Sequence, residues 1–340
     1  MLCDVKTVFC TRMHMARPSA KEEGCVNSPK NVKALAVASL HNSSSNKTRT
    51  TAFAFLTMIA WTMSAFAQSA PTPAGSSEKG SSALSANELV KEVNNPVTSI
   101  WSLQFEFNNA SLEGHAGRWE GWANNLYFQP VIPISLTRDW NLITRPVMTI
   151  YQSVPTPTPG GGTQKTTAFG DTILAQVLSP AHTEPWIFGV GPTWIFPTAG
   201  STFTGQGKWQ VGPAFGAGYI TNEFMVAAFA QQWWSFAGDA TRKDTSQMNI
   251  LPLIYKYFDD GWSFGYSGNI LIDWRARSQD VWTVPIGLSV GKIVQFGKLP
   301  VQIRLGGQYF VARPEGGPEW NIQLQVTPVI PKLISKTLFE

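Results

Sequence analysis

The sequence predicts an all-β protein: a transmembrane antiparallel up-and-down β-barrel of about 12 strands, preceded by a short N-terminal periplasmic helix. Three observations predict this fold class. Between Val97 and Pro328, short segments alternate apolar and polar residues, aromatic residues crowd the segment ends, and long and short connections take turns. Such segments are typical of strands that face lipid on one side and water on the other.

The first and last predicted strands show the alternation most clearly. Trp101, Leu103 and Phe105 share one face of the first strand, whereas Gln104 and Glu106 share the other, and residues 319–328 repeat the pattern. A period of two residues indicates a strand. A secreted soluble β-sandwich would give the same alternation. The aromatic residues at the segment ends favour a membrane barrel, because amphipathic rings are most stable at headgroup depth.

The N-terminal part of the chain predicts export. Lys47 and Arg49 precede an apolar run over residues 52–65, and Ala65-Phe66-Ala67 fits a small-x-small cleavage site. A membrane anchor is the alternative, but the run is well short of the roughly 20 apolar residues of a spanning helix. We expect a non-native or misassigned extension at 1–46, a signal peptide at 47–67, a periplasmic leader with a short helix at 68–96 and the outer-membrane barrel at 97–340.

Removal of residues 1–67 changes the charge balance. That segment holds 8 of the 26 basic and 3 of the 22 acidic residues, so 18 basic and 19 acidic residues remain. A nearly neutral mature chain gives no support for nucleic-acid binding. Cys3, Cys10 and Cys25 lie in the same segment. The mature chain therefore has no disulfide scaffold, thiolate zinc site or lipidated cysteine, and a closed ring of paired strands would stabilise it instead.

Local signals predict the elements in order. A capping box at Ser85–Glu88 and a stop at Asn94-Asn95-Pro96 predict a short helix, which would rest in or against the barrel mouth or remain a solvated turn. The predicted strands are 98–108, 122–135, 139–151, 167–178, 186–197, 208–220, 224–235, 246–257, 262–273, 281–291, 300–312 and 319–328.

The predicted connections alternate in length, as in barrels with short periplasmic turns, long external loops and both termini in the periplasm. The tenth connection, residues 292–299, is long for its place, so 10 and 14 strands remain alternatives. Prolines inside the predicted strands would require local bulges or kinks. They are Pro130, Pro133, Pro146, Pro192, Pro213, Pro252 and Pro285.

Catalytic and metal-binding patterns are not found in the mature sequence. Its two histidines, His115 and His182, fall in predicted loops at opposite ends of the barrel, and no Gly-x-Ser-x-Gly elbow occurs. His115 also has no serine at a spacing that resembles the outer-membrane phospholipases. Asp259-Asp260-Gly261 is typical of a hairpin turn and lacks the other carboxylates of a calcium loop. We predict no enzyme, no metal site and no cofactor.

The candidate functional residues lie on the predicted inner face. The lumen-lining candidates are Gln104, Glu106, Arg145, Gln176, Lys208, Lys256, Asn269, Asp273, Arg304 and Gln323. The predicted membrane-interface aromatics are Trp101, Trp140, Trp186, Trp194, Trp262, Trp282 and Trp320. Charges of both signs predict a polar, solute-contacting path. The alternative is an interior filled by salt bridges and amide hydrogen bonds, and a barrel of this size permits either.

Residues 89–103 resemble the beginning of a bacterial outer-membrane family named after the MetA pathway of phenol degradation, whose members are often called transporters or, misleadingly, neuromedin U. Asn95-Pro96-Val97 and Gly170-Asp171-Thr172 are similar to family motifs, as are residues 192–198. The resemblance covers about Leu89 to the C-terminus and implies a barrel for small organic compounds, aromatic ones included. It brings no catalytic residues. Phe339 is penultimate, whereas barrel proteins commonly end on an aromatic residue.

Together these patterns predict an outer-membrane channel or facilitated transporter of a Gram-negative bacterium, for small organic solutes that include aromatic or hydrophobic compounds. The expected partners are the outer-membrane lipid bilayer, the barrel-assembly machinery and a small-molecule solute, and no nucleic acid. The alternative is a structural or binding barrel without an open pore, acting through its external loops. Residues 155–162 and the arginines Arg275 and Arg277 are the sequence support for that alternative.

Overall fold

A computed structural model describes residues 84–112, 121–158, 162–332, 334 and 336–339. The predicted extension, the signal peptide, His115 and most of the leader lie outside the described residues. Helix α1 spans Ala86–Asn94. The strands are β1 Trp101–Leu112, β2 Gly121–Ser135, β3 Trp140–Pro157, β4 Thr163–Phe169, β5 Thr172–Pro180, β6 Trp186–Phe196, β7 Lys208–Ile220, β8 Phe224–Gly238, β9 Ser246–Phe258, β10 Trp262–Ser267, β11 Ile270–Asp273, β12 Trp282–Phe296, β13 Leu299–Ala312 and β14 Pro318–Ile330.

The strands close into one antiparallel barrel. Each wall strand pairs with its neighbours, and β14 closes the ring on β1, from Trp101 opposite Ile330 to Leu112 opposite Pro318. β10 and β11 are two halves of one wall strand, because both pair with β9 and β12. β4 pairs with β3 alone and extends it as a hairpin. The wall therefore has about 12 strands, which confirms the predicted fold.

The two ends of the barrel differ. The short-turn end carries the connections 136–139, 181–185, 221–223, 259–261 and 297–298, and β1 begins there and β14 ends there. The long-loop end carries connections that include 197–207, 239–245, 274–281 and 313–317. The tenth predicted connection is in fact only two residues long, because β12 continues to Phe296 and Gly297 turns the chain at φ 63°.

Two predicted strands are each divided in two. The predicted strand 167–178 breaks at Gly170-Asp171, between β4 and β5. The Asp171 carboxylate turns away from the ladder and accepts backbone N–H groups of Ala199 at 3.2 Å and Gln206 at 2.6 Å. The predicted strand 262–273 breaks between β10 and β11, where the Asn269 side chain accepts a hydrogen bond from Asn249. A residue of each break makes a side-chain hydrogen bond to another part of the barrel.

Prolines in the wall lie where the ladder is interrupted. Pro192 of β6 faces Pro213 of β7, so two residues without an N–H group oppose each other. The β5–β6 ladder is interrupted at Pro192 and the β7–β8 ladder at Pro213, without a shift of register at either place. Pro285 lies at a true register shift between β12 and β13. The wall therefore accommodates its prolines by interruptions of the hydrogen-bonded ladder as well as by the predicted bulges.

The outer surface of the wall is an apolar band between two aromatic girdles. Exposed aliphatic side chains such as Val190, Leu288 and Leu305 form the band. Exposed tryptophans at the short-turn end are Trp140, Trp186 and Trp262, and those at the long-loop end include Trp122, Trp209, Trp282 and Trp320. An apolar surface that encircles a molecule is far larger than the patches of soluble monomers and matches a lipid-facing wall.

The helical content is small. Within the described residues, no helix is both long enough and apolar enough to cross a membrane.

Candidate functional site

Helix α1 lies in the barrel mouth at the short-turn end. Its first turn is fixed by a capping box, in which Ser85 Oγ accepts from the Glu88 N–H and Glu88 accepts from the Ser85 N–H at 2.8 Å. The hydrogen bonds from the Ser85 backbone and side chain hold the pKa of Glu88 below its ordinary value. A helix of nine residues is marginal alone, so packing must stabilise it.

The apolar face of α1 packs against inward-facing side chains of the barrel. Leu89 and Val90 are 5% and 0% exposed. Their cluster includes Ile187, Ile220, Met225, Ala227, Leu253, Tyr255, Tyr257 and Ile293, from β6, β7, β8, β9 and β12. One of the two predicted placements of the helix, within the mouth, is the observed one.

Polar contacts hold α1 at both of its ends. The backbone N–H of Gly261 donates to Asn87 Oδ1 at 2.9 Å, and Lys91 Nζ lies 2.6 Å from Glu184 Oε2. At the last turn, the Asn94 side-chain oxygen accepts from the Arg304 guanidinium. Gly261 has a φ of 73°, and a Cβ there would lie 3.2 Å from the Cβ of Ala86. The close approach of this turn to α1 therefore requires glycine.

One half of the barrel interior is polar. It is formed by β13, β14, β1, β2 and β3, and its centre is the Glu106 carboxylate, which accepts from Asn108 at 2.9 Å and from Gln323 at 3.3 Å. Beside it, Arg145 donates to Gln129 at 2.9 Å. Arg304 lies over the Tyr255 ring, 4.7 Å from its centroid. Two arginines and one carboxylate thus lie among amide side chains.

The other half of the interior is largely apolar. Ala175, Val177, Ala214 and Phe229 form one cluster on β5, β7 and β8. Val147, Ile173, Ile195 and Trp233 form a second. The polar groups beside this second cluster hydrogen-bond to one another. Trp233 Nε1 donates to Thr193 at 3.1 Å, and Thr193 donates to Gln231 at 2.9 Å. The inner face of the wall is therefore amphipathic rather than uniformly polar.

Several inward polar atoms are buried without a hydrogen-bond partner among the described residues. A buried polar atom without a partner costs about 1–3 kcal/mol. The inward side chains with one such atom include Asn125, Gln129, Arg145, Asn249, Tyr257, Arg304 and Asn321.

The long-loop mouth is ordered by side chains. Lys208, buried at the start of β7, lies 3.1 Å from Asp244 of the connection 239–245. Arg242 of the same connection donates to the Thr202 carbonyl at 3.1 Å, which ties it to residues 197–207. Gln206, Gln210 and Gln247 form an amide cluster below. Arg277 pairs with Asp280 and Glu315, and the hydrogen bonds that it donates to these carboxylates raise its pKa. That arginine is therefore engaged in contacts within and between loops.

The structure places most of the predicted lumen residues on the inner face. Glu106, Lys208 and Arg304 are buried there, and Gln104, Arg145 and Gln323 join the polar half. Asn269 contacts Asn249, and Asp273 is in register with Gln247 near the long-loop mouth.

Two lumen predictions require correction. Gln176 alternates with the buried Ala175 and Val177, so it lies on the outer face. Lys256 is exposed between the buried Tyr255 and Tyr257, and its Nζ lies 3.1 Å from Glu223. At these two positions the inner face is occupied by Ala175, Val177, Tyr255 and Tyr257, so the polarity of Gln176 and Lys256 does not mark it.

One interfacial aromatic also requires correction. Trp101 is 7% exposed and donates its indole N–H to the Pro133 carbonyl at 2.8 Å, so it is packed rather than presented to lipid. Trp140, Trp186, Trp262, Trp282 and Trp320 are exposed in the girdles, and Trp194 is partly exposed on the outer face. Within the described residues, no group of three or more histidine, cysteine, aspartate or glutamate side chains is arranged to hold a metal ion.

Comparisons with known proteins give structural likenesses only. No family model matches the chain, and no curated protein matches it. An outer-membrane channel from Pseudomonas putida F1 is similar over 68% of this chain and 94% of its own, at 16% identity and a TM-score of 0.48. The Pseudomonas putida toluene transporter TodX is similar over 71% of this chain and 92% of its own, at 10% identity and a TM-score of 0.35. A Pseudomonas aeruginosa FadL homologue is similar over 74% of this chain and 95% of its own, at 10% identity and a TM-score of 0.31.

Proposed function

We propose that the chain is an outer-membrane channel or facilitated transporter of a Gram-negative bacterium, and that its solutes are small organic compounds, aromatic and hydrophobic ones included. The observation that carries the proposal is the amphipathic inner face of the wall, of which one half is polar and the other largely apolar. An organic solute with an aromatic body and a polar substituent would find a complementary surface on each side.

The same proposal includes the division of the chain and its location. The signal peptide would be cleaved near Ala67, leaving a leader, α1 and the barrel. The bilayer and the barrel-assembly machinery would be partners during insertion, and membership of the phenol-degradation family would follow from the motifs around Asn95 and Gly170. The predicted lumen residues that face inward, Gln104, Glu106, Arg145, Lys208, Asn269, Asp273, Arg304 and Gln323, would contact the solute. No catalytic step is part of the proposal.

Helix α1 has a defined part in this proposal. It lies across the short-turn mouth, and its contacts are one apolar cluster and a few polar bonds. We propose that α1 is a plug that restricts passage while docked. Its displacement would widen the mouth without breaking any strand pair of the wall.

Conductance and solute flux test the function. Purified protein, shown to be folded by heat-modifiable migration on a gel, is placed in a planar bilayer and in liposomes loaded with an impermeant sugar. We expect ion conductance, and swelling when small aromatic solutes are supplied outside. Folded barrels that give neither signal, with or without α1, would contradict the proposal and favour a barrel that acts through its loops.

A further inference from the structure

A separate cavity lies at the short-turn end, where α1, the start of β1 and the end of β14 meet. Its volume is about 320 Å³, which is at the lower limit of small-molecule sites. Leu84, Leu89, Ile100 and Ile330 form apolar walls, and Lys298 and Lys332 also line it. It therefore lies outside both halves of the lumen lining described above.

The two lysines give the cavity a positive charge. Lys298 is in the two-residue connection between β12 and β13, Lys332 follows β14, and both are exposed. None of the described residues that line the cavity is acidic. Within the described residues, neither Lys298 nor Lys332 has a carboxylate within 4 Å, unlike Lys91, Lys208, Lys256 and Lys292 but like Lys165, Lys243 and Lys336.

We propose that this cavity binds a small amphiphile with an apolar body and one anionic group. The body would lie against Leu89, Ile100 and Ile330, and the anion within reach of the two ammonium groups. Lysine suits this arrangement, because its alkyl stem covers apolar surface while its charge stays near water. Charge complementarity selects an anionic occupant over a neutral or cationic one of equal length.

An occupant would contact the plug as well as the wall, since Leu89 belongs to α1 and Leu84 directly precedes its capping box. The cavity would then be a binding site that solute occupies at the short-turn mouth. This placement on a solute path rests on the proposed channel function. The binding itself does not.

Binding of three probes of equal chain length tests the site. Hexanoate, n-hexanol and hexylammonium are titrated into the folded full chain in nonionic detergent, and binding is followed by calorimetry and by saturation-transfer NMR. We expect hexanoate to bind at least about tenfold more tightly than hexylammonium. In the double variant Lys298→Gln and Lys332→Gln, hexanoate binding should weaken roughly fivefold, as expected for two partly solvated charges, while hexanol binding stays unchanged.

Two further variants serve as controls. Lys336→Gln removes an exposed charge from the same C-terminal segment but not from the cavity lining, so it should leave hexanoate binding unchanged. Leu84→Trp should fill the mouth of the cavity and weaken binding of all three probes. Equal affinity for hexanoate and hexylammonium, equal effects of Lys336→Gln and the double variant, or no binding by the folded protein would overturn the proposal. Binding without conductance would support this site and contradict the channel function. Conductance without binding would support the channel function and contradict this site.

Discussion

Single residues of this barrel cannot be assigned to a face from polarity alone. Gln104 and Glu106 could be predicted as inward, because every neighbour of β1 on the opposite face is apolar or aromatic near the short-turn end. Gln176 and Lys256 were predicted inward for the same reason, yet they lie outside. The inner face beside them is occupied by Val177 and Tyr255, so the polarity of a side chain does not show there whether it points inward or outward.

Ion selectivity distinguishes an inward from an outward cation. Arg145→Gln removes a charge beside Glu106, so the cation-to-anion permeability ratio should rise by about twofold or more, since a unit charge about 8 Å away contributes about 0.5 kcal/mol even at the dielectric constant of water. The reversal potential in a KCl gradient measures it. Lys256→Gln is the matched control and should leave the potential unchanged, because this lysine faces outward. A shift of equal size in both variants would refute the assignment of faces.

Asp171 is a residue whose role appears only in the structure. The motif Gly170-Asp171-Thr172 was recognisable, but the acceptor role of the carboxylate depends on residues 199 and 206, which lie some 30 positions later. Sequence spacing gives no sign of that contact.

Loss of the Asp171 carboxylate should loosen the connection 197–207. Asp171→Ala leaves the N–H groups of Ala199 and Gln206 without this acceptor, at a cost of about 1–3 kcal/mol. Hydrogen exchange of that connection should accelerate roughly tenfold, while exchange in β8 and β9 stays the same. Asp139→Ala, in an exposed short connection, provides the comparison. Unchanged protection of residues 197–207 would show that the carboxylate does not hold them.

At the scale of elements, the strands and α1 were largely predictable and their boundaries were not. Alternation predicts twelve strands, and the capping box predicts α1 at its observed start. The end of β12 was missed, because the prediction ended this strand at residue 291 although the residues up to Phe296 carry no turn signal and the chain turns only at Gly297, at positive φ. The docking of α1 could not be decided either, since it depends on the inward side chains of five distant strands.

Charge placed on the buried face of α1 should open the mouth. Val90→Asp puts a carboxylate at a fully buried position, which costs several kcal/mol unless the helix leaves its site. Because strand pairing closes the wall independently of α1, the barrel should persist and mean bilayer conductance should rise. Leu84→Asp makes the same change at an exposed residue and should have little effect. A folded Val90→Asp barrel with wild-type conductance would exclude a plugging role for α1.

Acid should weaken the cap of α1. The pKa of Glu88 is lower in the folded protein than its ordinary value of 4.5, so its contribution to stability is present above pH 4.5 and is lost as the pH falls through the folded pKa. Open-channel probability should therefore rise as the pH drops below about 4.5. Glu88→Gln keeps a side chain that can accept in the capping box but does not titrate, so its opening should lack this rise. An identical acid response in both proteins would assign it to another group.

For the whole molecule, closure and surface chemistry decide where the protein can reside. The sequence predicted a closed ring because no disulfide was available, and the structure closes it through β1 and β14. The unequal interior could not be predicted from the sequence, since the polar half is assembled from strands at the two ends of the chain, β13 and β14 beside β1, β2 and β3. The apolar band and both girdles require the short-turn and long-loop ends to face different compartments.

Labelling of single cysteines determines which compartment each end faces. Residues 68–340 contain no cysteine, so Lys243→Cys in the connection 239–245 and Asn222→Cys in the connection 221–223 introduce unique reporters in that part of the chain, both at exposed positions. With a membrane-impermeant maleimide, intact cells should label Lys243→Cys, whereas Asn222→Cys should react only after the outer membrane is permeabilised, because long loops face outward and short turns face the periplasm in such barrels. The reverse order would invert the orientation and place α1 at the cell surface. Labelling of both sites in intact cells, or of neither after permeabilisation, would contradict insertion across the outer membrane.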